Sequence, residues 1–551
     1  MSGLDRASNE VTGGVAMARQ LVEEGVTHVF AIPGVQLDYA TNGLAAYRDQ
    51  ITLINARHEQ TTTYAADGYH RTTGRIGVAL VVPGPGVLNA AAGLVTALAC
   101  SSKVLLLSGQ IPSHGLGKGL GLLHEIPDQS GILQTLCRSS VLTRSAGEVA
   151  GAIHGAFVQL GKGPGPVAVE IPPDVLSAQT DGAAIGAEPS GTPAGGSATE
   201  LAAAAERLLA AERPVIYAGG GARAADAWDE LHRAAELLGA PLIASTGGKG
   251  SFDEGHANAL LPLAHHELMW RADAVLVVGS RTVSPRAGAL KINPDAFQIS
   301  INDDPNAFGP PRDFDLAVLG DARTSLAVLA EQIERETGGD HRRLWIDDLD
   351  DVKARAHERL AGLEPQMSYV AALRQAMPDD AVLVNELTQV GYVSRYGFEV
   401  RHRRSYVDPG YQGTLGYGYP TAIGAAVGNP DRAVVSINGD GGFGYGLAEM
   451  ATVMNHDIPL VGVVFRDDAF GNVQRMHRQQ FDGDHHGTEL FNPDMLTLAR
   501  AYDMDGYRAE SPDELRRMLD QAIQARRPAL IDVPIGATPD PWAPVLRPWQ
   551  G

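Results

Sequence analysis

The stretch that decides the fold is Ala433–Phe443, AVVSINGDGGF, in which a short apolar run ends in a glycine-rich turn. A helical pattern, YGLAEMATVMNH, continues from it. Similar apolar runs, rich in Leu or β-branched residues and ended by Gly, Pro or a polar residue, recur along the chain, as in Val104–Gly109 and Ala274–Ser280. Continuous apolar strands that alternate with helices predict parallel sheets covered on both faces. The sequence therefore predicts an α/β fold of doubly wound parallel sheets.

Two segments divide the chain of 551 residues into three α/β blocks. Gly182–Thr199 is rich in Gly, Ala, Pro and Ser without periodicity, which is typical of a linker. Glu331–Arg359 is charged and helical in pattern, and a new β-α series begins after it. The predicted domains are residues 1–182, 199–335 and 365–551.

Composition excludes several classes of partner. The 44 Lys and Arg residues against 65 Asp and Glu residues give a net charge of −21, whereas nucleic acids and anionic membranes both require a basic surface. Cys100 and Cys137 are too few for a disulfide scaffold and have no metal-site spacing. The N-terminal stretch MSGLDRASNEVTGG has no apolar core of signal-peptide length, and no stretch of 18 apolar residues occurs in the sequence. We expect a soluble cytoplasmic enzyme that acts on small molecules.

The turn Gly439–Gly442 has the chemistry of a metal–phosphate site. Glycines at a strand end let backbone amides approach a phosphate, and the Asp440 carboxylate is a hard oxygen ligand of the kind Mg²⁺ prefers. The next apolar run, LVGVVF, is followed by Asp467, 27 residues after Asp440. Adjacent parallel strands would bring both carboxylates to one edge of the sheet. Considered alone, Asp440 could instead be the cap of a helix after a tight turn.

GDG followed at this distance by an acidic or amide ligand resembles the thiamine diphosphate (ThDP) motif of acetolactate synthases, pyruvate decarboxylases and benzoylformate decarboxylases. The resemblance extends over nearly the whole chain, because the other motifs of the family occur in order. It implies three doubly wound domains, namely pyrimidine-binding, central and diphosphate-binding. It also implies ThDP held by Gly439, Asp440, Gly441 and Gly442, and Mg²⁺ held by Asp440, Asp467 and the Ala469 carbonyl. The family has two asparagines where this chain has Arg466-Asp467, which keeps an oxygen ligand but adds a charge.

Asn55–Gln60, NARHEQ, follows a predicted strand and resembles the segment of the family that activates the cofactor. The resemblance implies that Glu59 hydrogen-bonds to N1′ of the pyrimidine and promotes the tautomer that deprotonates C2. A carboxyl group in an apolar pocket can share a proton with a heterocycle in this way. The alternative from the residues alone is a carboxylate that interacts with the helix dipole.

Tyr411–Gly416, YQGTLG, resembles the segment that receives the pyrimidine ring. The resemblance implies that the Gly413 carbonyl accepts a hydrogen bond from the 4′-amino group and that Leu415 wedges between the two rings, which would orient them for reaction. The alternative for Leu415 is an ordinary core position. Thr388 and Gln389 follow another predicted strand at the position where the family binds the diphosphate.

The residues expected near the substrate are Gln110 and His124. Gly109–Pro112, GQIP, resembles the GQVP of acetolactate synthases, and His124 lies where pyruvate decarboxylases have a pair of histidines. His124 is therefore a candidate proton donor, although a loop histidine can also be a solvated surface residue. The resemblance also implies that Val35 and Gln36 line the pocket. Two positions depart from acetolactate synthases, with Pro173 in place of a lysine and Met476 in place of a tryptophan.

The central block carries Gly219–Gly221 after an apolar run, and this domain binds FAD, ADP or nothing in the family. The sequence shows no second nucleotide fingerprint, so we favour a structural domain over an FAD site. A flavin absorbance band in the purified protein would instead favour an oxidase of the pyruvate type.

The resemblance implies a homodimeric catalytic unit, usually paired as a tetramer, in which Glu59 of one subunit meets Asp440 and Leu415 of another. The expected reaction is attack on a 2-oxo acid, decarboxylation, and then ligation to a second carbonyl acceptor, as in acetolactate synthases. Simple decarboxylation is the alternative, and a catalytically silent regulatory paralogue is disfavoured because Glu59, Asp440 and Leu415 occur together.

Overall fold

The computed structural model describes residues 10–188, 191–284, 288–310 and 313–546. The outer ends of the predicted first and third domains, 1–9 and 547–551, lie outside the described residues, as do 189–190 of the predicted linker. Three six-stranded sheets, each with all its strands parallel, confirm the predicted α/β class. None of the helices in the described residues is both long and apolar enough to cross a membrane.

The first sheet has the strand order β3-β2-β4-β5-β7-β6, and a separate antiparallel pair joins β1 to β8. Its central strands are buried along their whole length because helices cover both faces. The strands are β1 (Val11–Thr12), β2 (His28–Ala31), β3 (Thr52–Asn55), β4 (Gly77–Val81), β5 (Val104–Gly109), β6 (Ser139–Leu142), β7 (Val167–Ile171) and β8 (Gln179–Thr180). The helices are α1 (Gly13–Glu23), α2 (Asp38–Ala45), α3 (Glu59–Thr73), α4 (Pro85–Ala99), α5 (Gln129–Leu136), α6 (Val149–Lys162) and α7 (Pro173–Ser177).

The second sheet has the order β11-β10-β9-β12-β15-β16, and β13 pairs with β14 in a short antiparallel ribbon. The strands are β9 (Pro214–Ala218), β10 (Leu242–Ala244), β11 (Ala259–Leu260), β12 (Ala274–Val278), β13 (Val283–Ser284), β14 (Gly288–Ala289), β15 (Phe297–Asn302) and β16 (Leu316–Leu319). The helices are α8 (Ala198–Ala210), α9 (Gly220–Ala224), α10 (Trp228–Leu238), α11 (His265–Arg271), α12 (Ala322–Thr337) and α13 (Leu349–Ala361).

The triglycine turn after β9 has a packing explanation. A Cβ on Gly219 would lie 2.3 Å from the Gly279 carbonyl oxygen, and one on Gly221 would lie 2.8 Å from the Gly279 Cα. Gly279 itself has a φ of 61°, which favours glycine. Close approach of the chain after β9 to the chain after β12 thus accounts for Gly219 and Gly221.

The third sheet has the order β18-β17-β19-β20-β22-β21. Its strands are β17 (Val382–Asn385), β18 (Tyr406–Val407), β19 (Val434–Gly439), β20 (Leu460–Arg466), β21 (Asp505–Arg508) and β22 (Ala529–Pro534). Its helices are α14 (Gln366–Ala376), α15 (Gln389–Gly397), α16 (Gly418–Gly428), α17 (Asp440–Gly446), α18 (Met450–Asn455), α19 (Gly471–Gln480), α20 (Met495–Ala501), α21 (Pro512–Ala525) and α22 (Trp542–Leu546).

The chain forms two compact units. One contains the chain up to Gly191 together with Ile423–Gly428 and Gly446–His456, and the other contains the remainder. Between residues 182 and 197 the described part of the predicted linker has no helix or strand, whereas Glu331–Arg359 falls on the end of α12 and most of α13. The domain limits 1–182, 199–335 and 365–551 stay a prediction.

Candidate active site

The carboxyl ends of β17, β19 and β20 meet at one edge of the third sheet. In the parallel ladders Asn385 pairs with Ile437, and Gly439 pairs with Phe465. The strand order reverses here, because β18 lies on one side of β17 and β19 on the other. The crevice outside such a reversal is the usual ligand site of a doubly wound sheet. The chain segments that follow these three strands therefore form the candidate site in the second unit.

Asp440 and Asp467 lie side by side at this edge. Asp440 is the first residue of α17, and Asp467 follows β20 directly. Their carboxyl groups are within hydrogen-bonding reach of each other. Burial and then the negative charge of Asp440 raise the pKa of Asp467 to about 7, and burial also raises the pKa of Asp440. Two adjacent, poorly solvated carboxylates need a cation or a shared proton between them.

Asn492 contacts Asp440 and the neighbouring Asp468, and sequence reasoning missed it. Its side-chain amide donates to Asp440 Oδ2 at 2.6 Å and to Asp468 Oδ1 at 2.9 Å. Asn492 comes from the loop before α20, 52 residues after Asp440, so no local pattern links the two. Its contacts hold the loop that follows β20 against the start of α17.

The loop after Asp467 is fixed by backbone pairing. Phe470 donates its N–H to the Thr488 carbonyl at 2.8 Å, and Ala469 forms an antiparallel bridge with Glu489. Within the described residues no group of three or more His, Cys, Asp or Glu side chains could hold a metal ion. A cation between Asp440 and Asp467 would therefore need other ligands, as the predicted role of the Ala469 carbonyl supposes.

Thr388 and Gln389, the predicted diphosphate donors, lie at the same edge. Gln389 is the first residue of α15, and the Thr388 hydroxyl lies 3.0 Å from the point where a Cβ on Gly439 would stand. The Gln389 amide is engaged by the protein: it donates to Asp467 at 3.3 Å and accepts from Arg475 at 3.1 Å. Thr388 is thus placed beside the glycine-rich turn, and Gln389 contacts a predicted metal ligand.

The glycine-rich turn is packed too closely for side chains. A Cβ on Gly441 would lie 2.8 Å from the ring of Phe470, and one on Gly442 would lie 1.3 Å from Glu386 Oε1. Both glycines are therefore required by the neighbours of the turn. The carboxyl group of Glu386 is buried and leaves no room for a side chain at position 442. The sequence motifs had not assigned a role to Glu386.

The loop Gly413–Gly418 contains two glycines with left-handed backbone, since φ is 57° at Gly413 and 78° at Gly416. Leu415 projects from this loop with 42% of its surface exposed. It does not belong to the hydrophobic core, which was the alternative for this residue. Its role as a wedge between the cofactor rings stays a prediction.

In the first unit, Glu59 is the first residue of α3 and is half-buried. Its Oε2 accepts a hydrogen bond from the Asn89 side chain at 2.9 Å. A Cβ on Gly86 would lie 3.7 Å from its Oε1, so the turn that starts α4 passes beside the carboxyl group. Asn89 on α4 thus orients Glu59, a contact between residues 30 positions apart that the motif did not reveal.

The backbone in front of Glu59 is held by Glu449. This buried carboxylate accepts the N–H groups of Arg57 at 3.1 Å and His58 at 3.0 Å, and the Thr452 hydroxyl at 2.6 Å. Hydrogen bonds to a charged acceptor are the stronger kind. The segment Gly446–His456, which continues from α17, therefore fixes the entry to α3.

Gln110, predicted near the substrate, is buried and forms two hydrogen bonds through its side chain. Its amide donates to Glu170 at 2.9 Å, and its oxygen accepts the N–H of Ile111 at 2.8 Å. Glu170 is itself fully buried and also accepts from Gln129 at 2.9 Å. In this conformation the Gln110 side chain is directed at Glu170 and at its own neighbouring backbone.

His124 lies on a loop in the left-handed region, with a φ of 65°. Its Nδ1 is buried and has no hydrogen-bond partner among the described residues. Its carbonyl oxygen lies 2.2 Å from the position of a Cβ on Gly84, so only glycine fits opposite it. Gly84 and Gly86 belong to the same turn, which brings the backbone of His124 and the carboxyl group of Glu59 to one segment of the chain.

The remaining predicted pocket residues differ in exposure. Val35 is 70% exposed and Met476 is 44% exposed, whereas Gln36 is buried and donates to the Leu123 carbonyl at 3.1 Å. Pro173 starts α7. Val35 and Met476 are therefore free to contact another molecule, while Gln36 secures the loop that carries His124.

Comparison with known proteins assigns the three sheets to three domains of one enzyme family. Models of the N-terminal TPP binding domain, the central domain and the C-terminal TPP binding domain of thiamine pyrophosphate enzymes match residues 11–132, 201–329 and 388–533. A protein of Pseudomonas aeruginosa named "Probable 2-ketoarginine decarboxylase" is 35% identical, covering 92% of this chain and 91% of its own.

Two acetolactate synthase large subunits are also similar over almost their full length. The one from Methanocaldococcus jannaschii, named as probable, is 31% identical over 95% of this chain and 92% of its own. The one from Parasynechococcus marenigrum is 30% identical over 97% and 89% respectively. The chain belongs to the acetolactate synthase-like family of thiamine diphosphate-dependent enzymes.

Proposed function

We propose that this enzyme uses ThDP and Mg²⁺ to decarboxylate a 2-oxo acid and that His124 supplies the proton for release of the product. The observation that carries the proposal is the turn Gly84–Gly86, which lies against the His124 backbone on one side and the Glu59 carboxyl group on the other. The backbone of His124, whose Nδ1 has no hydrogen-bond partner among the described residues, thus lies against the turn that also passes beside Glu59, which supports the proposed role of His124.

The residues present fit these cofactors. A divalent cation would neutralise the adjacent carboxylates of Asp440 and Asp467. The turn Gly439–Gly442 presents backbone rather than side chains, as a bound diphosphate requires. When bound, ThDP would supply a nucleophilic carbon for the 2-oxo carbonyl and a cationic thiazolium ring that can accept the electron pair released with CO₂.

The chain's own residues then orient the reactants and move protons. Glu59, held by Asn89, exchanges a proton with the pyrimidine nitrogen. Leu415 and the Gly413 carbonyl position the pyrimidine, and Thr388 contacts the diphosphate. In a simple decarboxylase the carbon that has lost CO₂ must be protonated, so a proton donor must lie near it. We assign this role to His124.

Ligation to a second carbonyl compound is the second candidate. The similarity to acetolactate synthases and the segment Gly109–Pro112 support it. Against it, Gln110 is turned into a buried contact with Glu170, and Met476 and Pro173 differ from the residues of that subgroup. The similarity to a 2-ketoarginine decarboxylase makes 2-ketoarginine a substrate to test beside pyruvate.

We expect His124→Ala to lower the yield of released aldehyde relative to ligated hydroxyketone. Loss of one general acid slows a proton-transfer step by about 10²-fold or more. The measurement is the product ratio by mass spectrometry with pyruvate and with 2-ketoarginine, together with ThDP affinity. His114→Ala is the matched control, because His114 is an exposed histidine in the same loop region. An unchanged ratio with both substrates would make His124 a solvated loop residue.

We further propose a homodimeric catalytic unit, paired as a tetramer, with each site shared between two subunits. Exposed apolar side chains beside the cofactor loop support this arrangement: Tyr411 is 50% exposed, Leu415 42% and Tyr445 56%. Large exposed apolar groups at a site commonly mark a surface that a partner covers. A cytoplasmic location stays a prediction.

Co-expression of Glu59→Gln and Asp440→Ala subunits, each inactive alone, tests this sharing. If Glu59 and Asp440 act together across subunits, a mixed dimer contains one intact site and one doubly altered site. We expect differently tagged, purified mixed dimers to recover about half the wild-type turnover, as one of two sites requires. Mixed dimers without activity would place both residues of a site in one subunit.

A further inference from the structure

The buried carboxyl group of Glu386 joins two parts of the candidate cofactor site. Glu386 follows the last residue of β17 and is 2% exposed. Its Oε1 accepts the N–H of Gly416 at 3.1 Å, and its Oε2 accepts the N–H of Gly418 at 3.0 Å. The first amide directly follows Leu415 and the second belongs to the first residue of α16, so the carboxyl group fixes the end of the loop Gly413–Gly418.

The same carboxyl group packs against the glycine-rich turn. Its Oε1 occupies the place of a side chain at Gly442, since a Cβ there would lie 1.3 Å away. A Cβ on Gly418 would likewise lie 2.8 Å from Glu386 Cβ and 2.3 Å from Asn438 Oδ1. The loop that carries Leu415 and the turn that carries Asp440 thus both contact one side chain.

Burial of a carboxyl group in this position costs free energy, so a functional reason for its presence is expected. Glu386 forms no ion pair with any described residue, and its hydrogen bonds come from the two backbone amides. Burial raises its pKa to about 7, which the bonds from Gly418 and Gly416 oppose. A buried group of this kind is costly where an apolar residue would fill the same volume.

We infer that Glu386 is a positioning residue for the cofactor, which holds the pyrimidine-binding loop Gly413–Gly418 in a fixed relation to the diphosphate-binding turn Gly439–Gly442. The inference rests on the proposed function, because the two segments are assigned to ThDP there. Glu386 acts through Leu415 and the Gly413 carbonyl and does not itself take part in the chemistry.

The test compares a ligand that needs both segments with one that needs only the turn. In Glu386→Gln the side-chain NH₂ group faces a backbone N–H donor, so one of the two hydrogen bonds is lost and the loop is released. We expect ThDP affinity at saturating Mg²⁺, measured above pH 7 where Glu386 is mostly ionised, to fall about tenfold or more, the size of one bond to a charged acceptor. The affinity for Mg²⁺–pyrophosphate should change by no more than about twofold, or about 0.4 kcal/mol. The reason is that the glycine-rich turn and Asp440 are unchanged in this variant.

Calorimetry with ThDP and with pyrophosphate, and near-ultraviolet circular dichroism of the bound cofactor, provide the readouts. Glu399→Gln is the matched control, since Glu399 is a partly exposed carboxylate of the same unit paired with Arg401. If Glu386→Gln does not fold, Glu386→Asp keeps the charge with a shorter reach and should show the same selective loss of ThDP affinity.

Equal losses of ThDP and pyrophosphate affinity would overturn the inference, since they would indicate a general structural role. Unchanged ThDP affinity and an unchanged dichroism spectrum would overturn it as well. Failure of the proposed cofactor use would look different, because the wild-type enzyme would then show no Mg²⁺-dependent ThDP binding, whereas failure of the proposed decarboxylation would change the products and leave ThDP binding intact.

Discussion

Glu59→Gln is expected to slow exchange of the ThDP C2 proton by roughly 10²–10⁴-fold while the cofactor still binds, the range for loss of a general acid or base. The amide has the shape of the carboxyl group and can keep one hydrogen bond with Asn89, which now donates to Glu59 Oε2. It has no proton to exchange with the pyrimidine nitrogen. Binding depends on the third sheet, so it should change little.

Acid-quenched hydrogen–deuterium exchange followed by NMR measures this rate directly. Glu148→Gln is the control, because Glu148 is a carboxylate just before α6 that accepts the N–H of Arg144 at 2.9 Å. Both substitutions remove a negative charge near a helix start, worth about 0.3–1 kcal/mol of stability at an exposed site. If the two variants exchange C2 equally fast, Glu59 serves only the helix.

The meeting of Asp440 and Asp467 at one edge of the sheet was predictable because it depends on two strands that are consecutive in the sequence. β19 and β20 are joined by a helical connection and pair in parallel, so the residues after each strand lie at the same edge. This rule alone brings Asp440 close to Asp467. The apolar runs also located the strands, since parallel strands buried on both faces are apolar throughout.

The residues that hold these groups in place were not predictable. These residues form hydrogen bonds between segments that are distant in the sequence, and no short-range sequence pattern marks them. They are Asn492, Glu386, Asn89 and Glu449. Gln110 is also an example of a residue whose contacts could not be predicted from its local sequence. Its motif was recognised, but its environment is set by Glu170 on β7, 60 residues later.

Asp440→Ala is expected to abolish Mg²⁺-dependent ThDP retention. Removal of this carboxylate leaves Asp467 as the nearest described anionic ligand and leaves the charge of a diphosphate without its bridging cation. Calorimetry with ThDP at several Mg²⁺ concentrations gives the comparison. Asp482→Ala, at an exposed carboxylate of the same unit, is the control. Unchanged Mg²⁺-dependent affinity in Asp440→Ala would refute the metal assignment.

Asp467→Asn separates the roles of the two carboxylates. It restores the amide that the family has at this position, so an oxygen ligand remains while one negative charge beside Asp440 is removed. The repulsion that contributes to the raised pKa of Asp467 disappears with that charge. Mg²⁺ and ThDP should therefore still bind, whereas preference among divalent cations should change because ligand charge is one of its determinants. Retention in Asp467→Asn with loss in Asp440→Ala would show that Asp440 supplies the indispensable carboxylate.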